Sequence, residues 1–217
     1  MNVLAQRTAT FEVPRCAPAR VVVKDLFGRP LALAGLILLL PLLLVVAVLV
    51  RLSGPGPIVH RRRVMGQYGR TFDAFKFRTM VVDADLWLEL NPELREQYLV
   101  SHKLRDDPRV TPVGRFLRKY SLDELPQLAN VVRGDMWLVG PRMITPEELD
   151  KYDHHAGKLL SVKPGITGLW QVSGRQTTSY ERRVELDMQY IDHWSIRTDL
   201  VILWRTIGVI FKATGAY

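Results

Sequence analysis

The feature that most constrains the fold is LALAGLILLLPLLLVVAVLV (31–50), a run of twenty residues without a charge. This is about the length that a helix needs to cross the hydrocarbon core of a bilayer. The run is too long for the apolar part of a secretory signal, and no small-residue cleavage site follows it. A core helix of a soluble protein is rarely apolar on all sides. We therefore predict a membrane protein.

Pro41 lies in the middle of this run, where it removes one helical hydrogen bond and crowds the preceding turn. Basic residues flank the run on both sides, with Arg15, Arg20, Lys24 and Arg29 before it and Arg51 and Arg61–Arg63 after it. A spanning helix is usually basic mainly on its cytoplasmic side. A helix that bends near Pro41 and returns to the same face explains both flanks. A simple span stays open as an alternative, because proline is tolerated in membrane helices.

DLVILWRTIGVIF (199–211) is a second apolar stretch, interrupted by Arg205 beside Trp204. It is too short to cross a bilayer, and its aromatic and basic residues are typical of a helix in the headgroup layer. An ordinary core helix explains its periodicity equally well. The segment therefore predicts a helix in one of these two settings.

Short strands are predicted in the remainder of the chain. In TFDAFKFRTM (71–80), two phenylalanines alternate with Lys76 and Arg78, and a period of two predicts a strand with both cations on one face. That face either is solvated or lines a site for an anion. A helical pattern ends at Gly134, and MWLVG (136–140) predicts another strand.

The charge balance favours anionic partners, since 30 basic and 22 acidic residues give a net charge of +8. We predict no nucleic-acid partner, because the sequence shows no continuous groove of basic residues interleaved with exposed aromatic residues. Lipid headgroups and phosphorylated substrates remain as candidates. The single cysteine, Cys16, cannot form an internal disulfide, and the five histidines lack metal-ligand spacing.

The stretch GRFLRKYSLDELPQLANVVRGDMWLVGPR (114–142) sets the adjacent carboxylates Asp123 and Glu124 among four arginines and a lysine. Helix structure alone gives one explanation, because Ser121 and Glu124 have the spacing of a capping box. Pro126 conflicts with that helix start. We therefore expect the helix to begin nearer Asp123.

Chemistry on a phosphate gives the other explanation. Successive helical residues point about 100° apart, so Asp123 and Glu124 can do different jobs on one substrate. One can attack phosphorus while the other holds a divalent cation, for which Mg²⁺ is the natural choice. We expect the arginines and the helix dipole to lower the pKa of both carboxyl groups, which leaves Asp123 ionised as a nucleophile.

These residues belong to several long blocks that occur in order along the chain. The blocks are KDLFGRP before the Pro-broken run, SGPGPIVHRRRVMGQYGRTFDAFKFRTM, LRKYSLDELPQLANVVRGDMWLVGPR, VKPGITGLWQVSGR and ELDMQYIDHWSIRTDL. From about Lys24 to the final GAY, the chain resembles the monotopic phosphoglycosyl transferases among the bacterial sugar transferases.

The resemblance implies transfer of a sugar-1-phosphate from a UDP-sugar to a polyprenyl phosphate, usually undecaprenyl phosphate, with release of UMP. It implies a Mg²⁺-dependent route through a covalent aspartyl intermediate, as the first membrane step of bacterial glycoconjugate or exopolysaccharide synthesis. By motif, Asp123 would be the nucleophile and Glu124 would bind the metal. Arg118 and Arg142 would contact phosphate, and Asp187 would be a further acidic site.

Four other cations are added as candidate phosphate-binding residues, namely Lys76, Arg78, Arg115 and Arg175.

Two positions depart from the pattern of the family. Leu40 precedes the helix-breaking proline where serine is frequent, and Met143 follows Arg142 where a second proline is usual.

The expected fold is α+β: a mainly helical monotopic membrane protein with a re-entrant helix broken at Pro41, amphipathic interfacial helices and a small β element. Residues 1–23 would be an N-terminal extension, 24–52 the re-entrant helix and 53–217 the catalytic domain. The resemblance implies the cytoplasmic face of the bacterial inner membrane. Arg61–Arg63 would add about 1 kcal/mol per charge to binding of anionic lipid.

Two alternatives stay open. One is a UDP-sugar glycosyltransferase that releases UDP, and the other is a non-catalytic basic membrane scaffold. A homodimer in the membrane is compatible with the sequence. The nucleotide released from a UDP-sugar discriminates between transfer of a sugar phosphate and transfer of the sugar alone.

Overall fold

A computed structural model describes residues 12–101, 104, 107–174 and 178–212. The α-helices are α1 (Pro18–Leu38), α2 (Leu40–Leu52), α3 (Ala84–Glu89), α4 (Pro92–Ser101), α5 (Pro112–Lys119), α6 (Gln127–Arg133), α7 (Ala156–Leu160), α8 (Tyr180–Asp192) and α9 (Ile196–Lys212). The strands are β1 (Val59–Met65), β2 (Thr71–Phe77), β3 (Trp137–Val139) and β4 (Gly165–Thr167), and the 3₁₀ segments are Gln67–Gly69, Leu122–Glu124 and Pro146–His155. The prediction of a mainly helical chain with a small β element is confirmed.

The apolar run folds as two helices, because α1 and α2 meet at Leu39 with a bend of 64°. Pro41 lies in the first turn of α2, where its missing N–H has no helical acceptor to bond. The predicted break near Pro41 is therefore confirmed. Within the described ranges, no individual helix has the length and apolarity of a membrane span, whereas this bent pair taken together does.

The first half of α1 is fastened to the rest of the chain by a buried lysine. Lys24 Nζ donates to Asp199 Oδ2 at 2.5 Å, to Tyr190 Oη at 2.7 Å and to the carbonyl of Val139 at 2.9 Å. The ring of Trp137 lies 4.9 Å from the same nitrogen. These contacts join α1 to β3, α8 and α9.

The second half of α1 packs against α6. Arg29 donates through Nε to the carbonyl of Val132 at 3.1 Å and through Nη2 to the carbonyl of Arg133 at 2.9 Å. The last carbonyls of a helix have no intrahelical partner, so a cation here satisfies them and complements the helix dipole. α1 and α6 are thereby fixed to each other.

β1 and β2 form an antiparallel hairpin in which Val59 pairs with Phe77 and Met65 pairs with Thr71. The strand predicted in 71–80 is confirmed, but it ends at Phe77. The buried guanidinium of Arg78 turns toward the end of α2 and donates to the carbonyls of Val50, Gly54 and Pro55. Those bonds secure the exit from the bent helix pair.

The acidic pair lies in a 3₁₀ turn, Leu122–Glu124, and not in the expected continuous helix. Ser121 has a left-handed backbone with φ of 54° and no capping bond from its side chain, so the capping box that would explain the carboxylates by helix structure alone is not formed there. Pro126 is the N-cap of α6, a position that tolerates its missing N–H. The predicted helix end at Gly134 is confirmed, with φ of 87°, as is the short strand that follows.

The C-terminal apolar stretch is a helix, as predicted. α9 contacts β3 and β4 through one face, which buries Ile202. Its other face exposes large apolar side chains, of which Leu200 is 62% exposed and Trp204 is 76% exposed. α9 therefore packs one apolar face against the strands and leaves a second apolar surface uncovered.

Candidate active site

Glu124 is held by two cations that come from distant parts of the chain. Its Oε1 accepts from Lys76 Nζ at 2.7 Å and from Arg142 Nη2 at 3.4 Å. Burial alone would raise the pKa of Glu124, but the charges and hydrogen bonds of Lys76 and Arg142 lower it to about 2. The expectation of a low pKa is confirmed for this carboxyl group, which stays ionised at all physiological pH values.

Asp123 is also buried. Unlike the carboxyl group of Glu124, that of Asp123 accepts no hydrogen bond from the residues that the structure describes. Burial raises its pKa, and the neighbouring charge of Glu124 adds to the rise, while Lys76, Arg118 and Arg142 oppose it. The expected lowering of the pKa is therefore wrong for Asp123, because desolvation outweighs the cations. A carboxyl group without a structural partner is available to a ligand.

Arg118 lies near enough to Asp123 for its charge to act on it, because α5 packs closely against Thr79, two residues beyond the end of β2. A Cβ added to Gly114 would lie 2.0 Å from the carbonyl oxygen of Thr79, so only glycine permits this approach. Arg118 Nε donates to Thr79 Oγ1 at 2.9 Å, and its charge acts on Asp123. The side chain of Thr111 accepts from the N–H of Gly114 and caps the same helix.

Asp187 lies on α8 and joins this group through Arg142. Its side chain is fully buried, and Tyr152 Oη donates to its Oδ2 at 2.8 Å. The backbone N–H of Arg142 lies near the same carboxyl group and lowers its pKa, although Asp187 Oδ1 accepts no hydrogen bond from the described residues. Since Arg142 also reaches Glu124, the structure brings together Arg118, Asp123, Glu124, Lys76, Arg142 and Asp187.

Three predicted cations are not brought to this group. Arg115 is exposed on α5, and Arg78 bonds to the end of α2. Arg175 lies outside the described residues. Phosphate contacts by these three arginines stay predictions.

Comparison with protein families decides the relationship of the chain. The model of a family described as bacterial sugar transferase matches residues 19–213. The chain belongs to the bacterial sugar transferase family.

Relatives of this sugar transferase include the exopolysaccharide production protein ExoY of Sinorhizobium fredii, which is 44% identical over 98% of the chain and 99% of its own length. The UDP-glucose:undecaprenyl-phosphate glucose-1-phosphate transferase of Escherichia coli is 40% identical over 88% of the chain and 41% of its own length. The undecaprenyl-phosphate galactose phosphotransferase of Salmonella typhimurium is 45% identical over 75% of the chain and 35% of its own length. The chain thus matches only part of the last two proteins.

The carboxylates of this sugar transferase can be compared with the ligands that the implied magnesium ion requires. Within the described part of the chain, no three His, Cys, Asp or Glu residues group as a metal site. Mg²⁺ often binds through one or two carboxylates, with waters and substrate phosphates as its other ligands. Glu124 pairs with cations through Oε1 alone, and Asp123 is adjacent to it. These residues fit an ion shared with a substrate diphosphate, and not one held by protein groups alone.

Sequence reasoning missed three residues that lie beside the active-site residues Arg142 and Asp187. Trp170 lies in the glycine-rich block VKPGITGLWQVSGR, and its ring centroid is 5.6 Å from the guanidinium carbon of Arg142. Arg183 precedes Asp187 by one helical turn, a spacing visible in the sequence. Tyr152 gives no such sign, because tertiary packing alone brings it to Asp187.

Asp187 should make stability depend on pH. Burial raises its pKa to about 7, against an ordinary value of 3.8, while Arg183 and the hydrogen bond from Tyr152 limit the rise. Between these values the folded protein holds a proton that the unfolded chain releases, so the free energy of unfolding should fall as pH rises from about 4 to about 7. The slope is at most about 1.4 kcal/mol per pH unit. Chemical unfolding in detergent at several pH values measures it; Asp187→Asn should flatten the slope, and an equal slope in both proteins would contradict the assignment.

Proposed function

We propose that the chain transfers a sugar-1-phosphate from a UDP-sugar to a polyprenyl phosphate, such as undecaprenyl phosphate, and releases UMP. The observation that carries this proposal is the unpartnered carboxyl group of Asp123, buried beside Arg118 and the group formed by Glu124, Lys76 and Arg142. The relatives from Escherichia coli and Salmonella typhimurium, which are named as undecaprenyl-phosphate sugar phosphate transferases, support the same reaction.

In the first step, an oxygen of Asp123 attacks the phosphorus that carries the sugar. The new bond joins Asp123 Oδ to phosphorus, and the bond from that phosphorus to the bridging oxygen of the diphosphate breaks. UMP leaves with the bridging oxygen. In the second step, a phosphate oxygen of the polyprenyl phosphate attacks the same phosphorus and expels Asp123, which returns as the carboxylate. The product is a polyprenyl diphosphate sugar.

The surrounding cations account for the electrostatic requirements of both steps. Phosphoryl transfer concentrates negative charge on nonbridging oxygens, and fixed cations stabilise that charge best where water is excluded. Arg118 and Arg142 would contact those oxygens, and Lys76 would keep Glu124 ionised and oriented. Glu124 would hold Mg²⁺, which supplies further positive charge to the diphosphate when bound. Because burial raises the pKa of Asp123, its carboxylate is a stronger nucleophile than an exposed aspartate once it is ionised.

We further propose that α1 and α2 enter the cytoplasmic leaflet of the bacterial inner membrane as a re-entrant pair and that α9 lies along its surface. Many apolar side chains of these helices are exposed, for example Phe27, Leu38, Leu44, Leu52 and Trp204. Exposure of so much contiguous apolar surface is unusual for a soluble monomer. This location would bring a water-soluble donor and a lipid-borne phosphate to one site, while Arg61–Arg63 contact anionic lipid.

Incubation with a panel of UDP-sugars, Mg²⁺ and undecaprenyl phosphate tests the reaction. We expect UMP and a lipid-linked sugar diphosphate from at least one donor. Chromatography of the nucleotide product measures the outcome directly. Release of UDP would instead identify a glycosyltransferase, and release of neither nucleotide across a broad panel would favour the scaffold alternative.

A further inference from the structure

Trp170 is flanked by two guanidinium groups. Its ring centroid lies 5.6 Å from the guanidinium carbon of Arg142 and 5.1 Å from that of Arg183. Both distances are within the range of cation–π attraction, which strengthens when the partners are shielded from water. Trp170 is only 8% exposed, so this ring is a largely desolvated contact for both arginines.

Arg183 is itself held by rings and by charge. Its guanidinium carbon lies 5.0 Å from the ring centroid of Tyr180, and its Nη1 lies 4.0 Å from Glu148 Oε1. Its Nε and Nη2 are buried and have no hydrogen-bond partner within the described residues. Asp187, one helical turn farther along α8, attracts Arg183 when its carboxyl group is ionised. Arg183 therefore depends on Trp170, Tyr180 and Asp187 for its position.

Arg142 is contacted by this group in two ways. Its guanidinium meets the ring of Trp170, and its backbone N–H lies close enough to the carboxyl group of Asp187 to lower the pKa of that group. The same guanidinium reaches Glu124 at 3.4 Å, a long contact from a side chain that is 27% exposed. Such a partly exposed pair contributes little to holding the side chain of Arg142 in one position, because both side chains lose conformational freedom in forming it.

We propose that Trp170, Arg183 and Asp187 are positioning residues that hold Arg142 against Glu124 in the active site. The inference rests on the proposed function, because it gives Arg142 a phosphate to bind. None of the three positioning residues needs to touch substrate. Trp170 supplies the surface on which the guanidinium of Arg142 rests, Arg183 keeps that ring in place, and the carboxyl group of Asp187 acts electrostatically on both Arg183 and the backbone N–H of Arg142.

A double-mutant cycle with Arg142 tests whether Trp170 acts through that arginine. Trp170→Leu removes the aromatic face, whereas Trp170→Phe keeps a ring and is the matched control. We expect Trp170→Leu to lower kcat/KM for the UDP-sugar by about tenfold and Trp170→Phe by less than about threefold. In an Arg142→Ala background, Trp170→Leu should have almost no further effect, because contacting residues are not additive. A tenfold loss in both backgrounds would overturn the proposal.

A second measurement does not depend on activity. The arginine reagent 2,3-butanedione is applied to the detergent-solubilised protein, and mass spectrometry of peptides gives a rate for each arginine. Arg142 should react several-fold faster in Trp170→Leu and in Arg183→Gln than in the unmodified chain, and Trp170→Phe should restore the slow rate. Arg118, which is bonded to Thr79, should not change and so reports an intact fold.

The two measurements separate this inference from the proposed function. Faster modification of Arg142 without any release of UMP would support the positioning contacts and reject the reaction. Release of UMP with an unchanged rate at Arg142 in both variants would keep the reaction and overturn the positioning role. If Trp170→Leu also exposes Arg118, Arg183→Gln decides the result, because it removes the guanidinium, keeps a polar side chain and leaves Trp170 unsubstituted.

Discussion

Asp123→Asn should lower the rate of UMP release by at least about 10³-fold and leave no sugar phosphate attached to the protein. An amide has nearly the shape of the carboxylate but neither its charge nor its nucleophilic oxygen. Asp123 has no hydrogen-bond donor in the described part of the chain, so the substitution removes no structural bond. The attached sugar phosphate is measured by mass spectrometry of protein that is quenched after addition of the donor and before addition of the acceptor.

Glu185→Gln is the matched control for this experiment. Glu185 is an exposed carboxylate on α8 that pairs with Arg182 on the surface, and such pairs contribute little to stability. Its activity should equal that of the unmodified chain. Undiminished release of UMP by Asp123→Asn would reject Asp123 as the nucleophile. If the unmodified chain is active but its mass shows no attached sugar phosphate, the covalent route is rejected.

Asp199→Ala should lower the free energy of unfolding by about 3–5 kcal/mol, because it leaves a buried ammonium without its carboxylate. The side chain of Lys24 is 5% exposed, and its bond to Asp199 is 2.5 Å long. Asp199 also accepts from Tyr190 Oη at 2.7 Å and from Trp194 Nε1 at 3.0 Å. Removal of the carboxyl group of Asp199 therefore takes a hydrogen-bond acceptor away from Lys24, Tyr190 and Trp194.

The double variant Lys24→Met/Asp199→Asn controls for the charge. It removes the ammonium together with the carboxylate and keeps an oxygen that Tyr190 or Trp194 can bond. We expect it to recover most of the lost stability, because the cost of Asp199→Ala comes mainly from the unpaired charge. Chemical unfolding in detergent measures all three proteins, and equal destabilisation of the single and double variants would contradict the charge-based explanation.

Local features of the fold were predictable where one residue restricts the backbone. Pro41 marked the break of the apolar run, Gly134 marked the end of α6, and alternation in 71–80 marked β2. The turn at the acidic pair was not predictable in the same way. The spacing of Ser121 and Glu124 fits a capping box, but tertiary contacts use Glu124 as the partner of Lys76, forty-eight positions away in sequence.

The candidate site was predictable as a set of residue types and not as an electrostatic environment. Motifs pointed to Asp123, Glu124, Arg118 and Arg142, which the structure brings together. The pKa of Asp123 was expected in the wrong direction, because the degree of burial depends on packing that the sequence does not display. Trp170 was overlooked for the same reason, since its neighbours come from separate segments of the chain.

The attachment of α1 to α6 has a consequence for the geometry of the reaction at a lipid surface. α6 begins just after the acidic turn, and Arg29 ties its last carbonyls to α1. If α1 dips into the leaflet as proposed, the depth of insertion and the height of the reactive carboxylate above the lipid tails cannot vary independently. The protein would then hold its nucleophile at one fixed height above the lipid tails, and the phosphate of a lipid carrier must reach that height.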